Sequence, residues 1–265
     1  MGTQPIRIGV VGLGRVVRER YVPGFRAIDG VELVGVCNST RQSSERAAAE
    51  LGIQNRYDNW MDLVEAGEVD AVLIGTWAKF HCPVTLAALG NGKHVLCETS
   101  MAMNAEEAHA MLEAAKANPH LVAHQIPSAF SYQVEPTVQE RIASGYLGEV
   151  LAIEMQLMMR YFVDPDAPFG RGHDQVQSGY NIGLMAGWYE CLMRMVGPAS
   201  KVQAMTKIAA STKVRVVSPM DFFAACSSSE SSSSSSSSVA ASVGIFSCTL
   251  STLGQHASNG QPITQ

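Results

Sequence analysis

Long apolar runs are missing from these 265 residues: none approaches the roughly 18 that a membrane-spanning helix needs. The first residues, Met1-Gly2-Thr3-Gln4-Pro5-Ile6, have no basic stretch ahead of an apolar one and no twin-arginine pair, so the expected location is the cytoplasm. Basic charge is scarce. Nineteen Lys and Arg against 24 Asp and Glu leave a net charge of −5, which argues against nucleic acid or a membrane surface as partner. The six cysteines, Cys37, Cys82, Cys97, Cys191, Cys226 and Cys248, form no CxxC pair. Several sit in apolar runs such as Val95-Leu96-Cys97, so they read as reduced, buried thiols, and no metal site is expected. What is plentiful is apolar. With 46% hydrophobic against 16% charged residues the chain is not wholly disordered, and it is long enough for one large domain or two ordinary ones.

The apolar residues are ordered. Ile6 to Val11, Val31 to Cys37, Ala71 to Gly75 and His94 to Cys97 are short apolar runs, and Leu121 to Ala123 reads as a fifth. Such runs suit strands buried on both faces, as in parallel sheets. Ser44 to Leu51, Met61 to Ala66 and Pro83 to Leu89 have helical character, and Asn104 to Ala117 opens with Asn104 and Glu107 spaced as a capping box. The alternation predicts βαβ units, hence an α/β Rossmann domain with a parallel sheet over residues 1–125. After Gln125 the rhythm changes. Helices at Gln133 to Ala143 and Gly183 to Met195, strands at Val150 to Met159, Val202 to Thr206 and Val214 to Val217, and a polar loop at Asp164 to Ser178 predict an α+β domain over 126–265 with an open, mostly antiparallel sheet. Residues 227–238 are serine except Glu230, which reads as a flexible linker or as sequence foreign to the native chain; Val239 to Leu250 supplies one more strand.

Gly12-Leu13-Gly14-Arg15-Val16-Val17 follows the first run and opens a helix. The first glycine permits a tight turn and the second lets backbone approach a pyrophosphate. The first helical turn, at Arg15 and Val16, offers exposed N–H groups and the positive dipole end. Val17 stands where a third small residue is expected, which predicts looser packing of helix on strand. The plainer reading is a strand–helix turn without a ligand. An acidic residue at the end of the second strand would bind the ribose hydroxyl of NAD. Asn38-Ser39-Thr40-Arg41 stands there instead, with no carboxylate to repel a 2′-phosphate and with hydroxyls and a guanidinium to bind it. NADP is therefore favoured over NAD; otherwise Arg41 is a solvated residue opening the next helix.

A longer stretch is more specific: Asp70-Ala71-Val72-Leu73-Ile74-Gly75-Thr76-Trp77, then His81, then Ala88-Leu89-Gly90-Asn91-Gly92-Lys93-His94-Val95-Leu96-Cys97-Glu98. Together with Gly12-Leu13-Gly14 it resembles the glucose-fructose oxidoreductase, inositol dehydrogenase and rhizopine catabolism (Gfo/Idh/MocA) family. The resemblance covers the first domain and runs through Gly145-Tyr146-Leu147-Gly148-Glu149 before thinning. It implies a Rossmann domain and an open-sheet domain with substrate between them, and NAD(P)-dependent oxidation or reduction of sugars, cyclitols and dihydrodiols. It also implies that Thr76, His81 and Glu98 lie near the cofactor, and that the protein is a homo-oligomer through the second sheet. Family members are longer, and the serine run falls where that sheet should continue, so the second domain is expected to be truncated or its end imperfect.

Two departures stand out. The family's Glu-Lys-Pro reads Glu98-Thr99-Ser100 here, so Thr99 replaces a lysine beside the substrate hydroxyl. Threonine hydrogen-bonds but supplies neither a positive charge nor a proton near neutral pH. The family's Asp-x-Gly-x-His-x-x-Asp pattern, anchored on Gly197, puts Gly183 on the first aspartate, Gly187 on the histidine and Glu190 on the last acid. One reading is an enzyme with a relocated proton shuttle. Thr99 then bonds the reacting oxygen, and Glu190, expected to be desolvated among Tyr189, Cys191, Leu192 and Met193, moves the proton, with His173 beside Asp174 as runner-up. The other is a regulator of the same fold that binds nucleotide or ligand without turnover. Plainer readings remain for each residue: His173 as an exposed loop residue, Glu190 as a structural ion pair, Tyr189 as core, His81 as a helix-entry residue and Lys79 as solvated.

Overall fold

Apolar runs too short for helices become strands once both faces are covered, and four such runs form the middle of a six-stranded sheet among the described residues. The computed structural model describes residues 4–127, 131–151, 153, 155, 175–179, 185–199, 208–210 and 241–242. β1 (Ile6–Val11), β2 (Val31–Cys37), β3 (Asn55–Arg56), β4 (Ala71–Ile74), β5 (His94–Cys97) and β6 (Ala123–Gln125) form one parallel sheet in the order β3-β2-β1-β4-β5-β6. The order reverses between β1 and β4, so their carboxyl ends flank the crevice where doubly wound sheets take ligands. Two features differ from expectation. β3 has no apolar pattern; it pairs with Gly35 and Val36, and Arg56 adds ion pairs to Glu45 and Asp58. The last strand is displaced to Ala123–Gln125, because Val95, Leu96 and Cys97 pair with those residues rather than with Leu121.

Helices pack both faces. A π-helical turn, Val17–Tyr21, runs into α1 (Val22–Arg26), and α2 (Arg41–Leu51), α3 (Trp60–Glu65), α4 (His81–Gly90) and α5 (Ala105–Ala117) follow. Side-chain alternation along the strands divides the core. On β4, Val72 and Ile74 face α3, α4 and α5 with Leu63, Val84 and Leu89, while Leu73 faces the other way with Val10, Val17, Val36 and Ala47. Each fully buried side chain of this size contributes roughly 1.5–3 kcal/mol. Cys37, Cys82 and Cys97 lie in this core as free thiols, and burial pushes Cys37 up to about 11 and Cys97 up to about 12, which makes them unreactive packing groups. The capping box at α5 is half as expected. Asn104 accepts from the Glu107 N–H, but the Glu107 carboxylate reaches back to the N–H of Met103.

The later part contributes α6 (Glu135–Ala143), α7 (Gln175–Ser178) and α8 (Met185–Val196), with one short antiparallel pair, β7 (Ile208–Ala210) and β8 (Ala241–Ser242). α6 begins two residues later than its spacing suggests, and residues 183 and 184, the expected start of α8, lie outside the described residues. The residues described within Val150 to Met159, namely 150, 151, 153 and 155, are not in a strand. The rest of that run, the strands at 202–206 and 214–217, most of the loop 164–178, residues 227–238, Cys226 and Cys248 lie outside the described residues. Among the described residues no helix is long and apolar enough to cross a membrane, and no His, Cys, Asp and Glu group has the arrangement of a metal site.

Candidate functional site

The loop after β1 is shaped by what its glycines lack. Gly12 has φ +89°, and a Cβ there would lie 2.8 Å from the backbone of Gly75 and Thr76. Gly75, at the end of β4, is equally constrained: its Cβ would meet Val17 Cγ2 at 2.2 Å and the Gly12 carbonyl at 2.7 Å. Val17 is 1% exposed. The helix therefore does not pack loosely. The space a third glycine would leave on the helix is provided by Gly75 on the neighbouring strand. Gly14 is different. A Cβ added there would find only the Gly75 carbonyl, at 4.0 Å, so this face of the loop is open to a ligand. Arg15 and Val16 are exposed on the first turn, Arg15 paired with Glu19 at 3.1 Å. A positive-φ turn, an open second glycine and a helix N-terminus fit a dinucleotide pyrophosphate.

The residues after β2 divide into structural and exposed groups. Asn38 accepts from Leu13 N–H at 2.7 Å and donates to the Ser43 carbonyl, so its side chain fixes the glycine loop and is not available to a 2′-phosphate. Thr40 caps α2 in a reciprocal box with Ser43. Ser39 and Arg41 are exposed. Arg41 opens α2, with Nε 3.1 Å from Glu45 and Nη1 3.9 Å from Asp58.

Across the crevice, Glu98 follows β5. Its Oε1 accepts from the Tyr21 hydroxyl at 2.5 Å and its Oε2 from the Thr99 N–H at 2.9 Å, while its carbonyl accepts from Gln125 Nε2 at 2.6 Å. Tyr21 lies on the helical turn that follows the glycine loop, so one carboxylate links that helix to the start of the next loop. Burial and the Glu98 bond push the Tyr21 phenol well above the ordinary range. His81 is 1% exposed, with Nδ1 2.6 Å from the Ser100 carbonyl and Nε2 3.0 Å from the Thr76 carbonyl. It clips the loop after β4, where Thr76 stands, to the loop after β5. Burial holds its pKa below the usual histidine value against the pull of both carbonyls.

A cleft of about 520 Å³ opens beside these loops, lined by Thr99, Ser100, Met103, Gln125, Ile126 and Glu190 among others. Thr99 and Glu190, distant in sequence, thus share one cleft. Glu190 is not the desolvated carboxylate expected. Its side chain is 34% exposed and its Oε1 lies 2.8 Å from Arg194 Nη1. Arg194 also bonds both oxygens of Glu135 at 3.2 Å and Cys191 Sγ at 3.1 Å, which joins α6 to α8. Arg194 and the Tyr132 N–H hold the Glu135 carboxyl below the usual range. Gly187 is buried on α8, and His173 lies outside the described residues. Sequence reasoning missed Tyr21, Gln125 and Arg194. Tyr21 and Glu98 are 77 residues apart, and only the topology pairs them; Arg194, one turn after Glu190 on an apolar helix, was a legible signal.

Comparison with known proteins agrees with this geometry. Residues 6–125 match the model of the Gfo/Idh/MocA oxidoreductase family, NAD-binding Rossmann fold. Over 160 residues the chain is 27% identical to a D-glucoside 3-dehydrogenase from Escherichia coli, covering 60% of this chain and 45% of that one. Over 151 residues it is 32% identical to an inositol 2-dehydrogenase from Serratia proteamaculans, covering 56% and 44%. The chain thus spans less than half the length of these relatives. A biliverdin reductase from Synechocystis shares the fold with a TM-score of 0.64 at 22% identity, over 78% of this chain and 63% of that one. A 3-ketoreductase from Actinomadura kijaniata does so with a TM-score of 0.52 at 21% identity, over 66% and 52%. The similarity to the Gfo/Idh/MocA oxidoreductase family, NAD-binding Rossmann fold, thus rests on residues 6–125.

Proposed function

We propose that this protein transfers a hydride between a nicotinamide dinucleotide, NADP in preference to NAD, and a secondary alcohol of a sugar, cyclitol or related polyol. The supporting observation is the Glu98 carboxylate, which joins the helix after the glycine loop to Thr99 on the wall of the cleft. Relatives named for glucosides and inositol favour a polyhydroxylated substrate. Gly12, Gly14 and the first turn at Arg15 and Val16 would hold the pyrophosphate, Ser39 and Arg41 the ribose 2′-phosphate, and Thr76 and Glu98 the nicotinamide end. The bound dinucleotide supplies the hydride acceptor or donor.

The chain's own residues do the rest. The Thr99 hydroxyl orients the reacting oxygen by a hydrogen bond. Glu190, held by Arg194 at one oxygen, takes or returns the proton, with His173 as the alternative. Residues 126–265 provide the substrate side of the cleft. A screen of sugars, cyclitols and their keto forms, followed by absorbance of the reduced dinucleotide, tests this. Turnover is expected, and Glu190→Gln is expected to lower it about 10²–10⁴-fold. Turnover that survives Glu190→Gln combined with His173→Ala rejects the residue assignment. Tight nucleotide binding with no turnover on any substrate favours the ligand-binding regulator, a reading encouraged by the absent lysine at position 99.

A further inference from the structure

Four charged side chains meet at the carboxyl ends of β2 and β3. Glu45 Oε1 lies 3.1 Å from Arg41 Nε and 3.8 Å from Arg56 Nη1; Asp58 lies 3.9 Å from Arg41 Nη1 and pairs closely with Arg56. Two guanidinium groups therefore share two carboxylates, and the cluster is neutral overall. Arg41, Glu45 and Asp58 are half or more exposed and Arg56 is 27% exposed, so an incoming anion has access to the group. This is the end of the second strand, where a doubly wound sheet places the adenosine ribose. β3 was invisible to pattern reading, and it is β3 that brings Arg56 and Asp58 here.

We propose that Arg56 is a second guanidinium of the 2′-phosphate subsite and that Asp58 is an internal competitor which restrains the preference for NADP. The inference rests on the NADP reading above. Arg41 and Arg56 converge from two elements as a dianion requires. Asp58 already occupies part of both groups and repels a phosphate. Removing its charge turns a neutral cluster into one of charge +1 facing a dianion, while a nucleotide that ends in a ribose hydroxyl meets no comparable change.

Calorimetric titration of the full chain with 2′,5′-ADP and with 5′-AMP isolates the effect without turnover. Asp58→Asn is expected to tighten 2′,5′-ADP about two- to fivefold at low salt, and Arg56→Gln to weaken it by a similar factor, with 5′-AMP unchanged in both. Arg56→Lys, which keeps the charge, is expected to fall between Arg56→Gln and the parent, and thermal melting of each variant confirms folding. Unchanged 2′,5′-ADP affinity in Asp58→Asn overturns the proposal, as do equal shifts for both nucleotides. If the parent binds 5′-AMP as tightly as 2′,5′-ADP, the NADP reading fails. The competitor role then stands if Asp58→Asn gains selectivity for 2′,5′-ADP, and falls if it does not. Absence of binding by either nucleotide to any variant overturns both readings.

Discussion

Val17 and Gly75 share a space that holds one side chain and no more. The Val17 methyl lies where a Gly75 Cβ would stand, and the Gly12 carbonyl closes the other side. An alanine at 75 must move backbone as well as a methyl group. Gly75→Ala is expected to cost about 1–3 kcal/mol by overpacking, read by chemical denaturation, and to weaken dinucleotide binding because the glycine loop moves with it. Val17→Ala in the same chain should restore only part of the loss, since the clash with the Gly12 carbonyl remains. Gly14→Ala is the contrasting case. With no atom nearer than 4.0 Å its Cβ enters open space, so stability should hold while nucleotide affinity falls. A Gly14→Ala variant that binds nucleotide normally would remove the pyrophosphate from this loop. The glycines were legible as a motif, but the exchange of a small residue between helix and strand was not, because it depends on two positions 58 residues apart meeting across β1 and β4.

At the scale of elements, hydrogen bonds between loops do what strand pairing leaves undone. Asn38 ties the glycine loop to α2, and His81 ties the loop after β4 to the loop after β5. Asn38→Ala strands the Leu13 N–H and the Ser43 carbonyl, a loss of about 1–2 kcal/mol. Because the pyrophosphate proposed for this loop is common to both dinucleotides, NAD and NADP affinities should fall by the same factor. Arg41→Ala, by contrast, should weaken NADP alone. A selective loss of NADP in Asn38→Ala would return that side chain to the 2′-phosphate. Strands β1, β2, β4 and β5 and helices α2 to α5 were readable because burial on both faces demands apolar runs and amphipathic spacing. Asn55–Arg56 was not, since two polar residues that pair through backbone leave no apolar pattern. The same reason hid the role of Asn38: its residue type suits a ribose contact and a loop clip equally, and only the Leu13 N–H at 2.7 Å decides.

For the whole molecule, the Arg7–Asp70 ion pair and the crevice lie at opposite ends of the same strands. At the amino ends of β1 and β4, Arg7 donates from Nε and Nη2 to the Asp70 carboxylate at 2.9 and 2.7 Å, and its own backbone N–H adds a third bond at 2.9 Å. The side-chain bond to Arg7 holds the Asp70 carboxyl at about 2, against an ordinary value of 3.8. A lowered carboxylate value stabilises the fold above the unfolded pKa and loses that contribution as the pH falls towards the folded one. The Asp70 share is therefore complete above pH ~4 and lost between pH ~4 and ~2; with both side chains over a third exposed, it is about 1 kcal/mol. His81 acts at higher pH. Its folded value lies below the ordinary 6.5, so the unfolded chain takes up the proton first and stability falls as the pH drops through that value. Denaturation free energies measured from pH 8 to pH 3 should decline first below about 6.5 and again below about 4. Asp70→Asn should flatten the lower decline, reduce stability at pH 7 by about 1 kcal/mol and leave nucleotide affinity unchanged, because the crevice lies at the other ends of the same strands. An Asp70→Asn chain that loses nucleotide binding in step with stability would show that the two ends are coupled through β1 and β4.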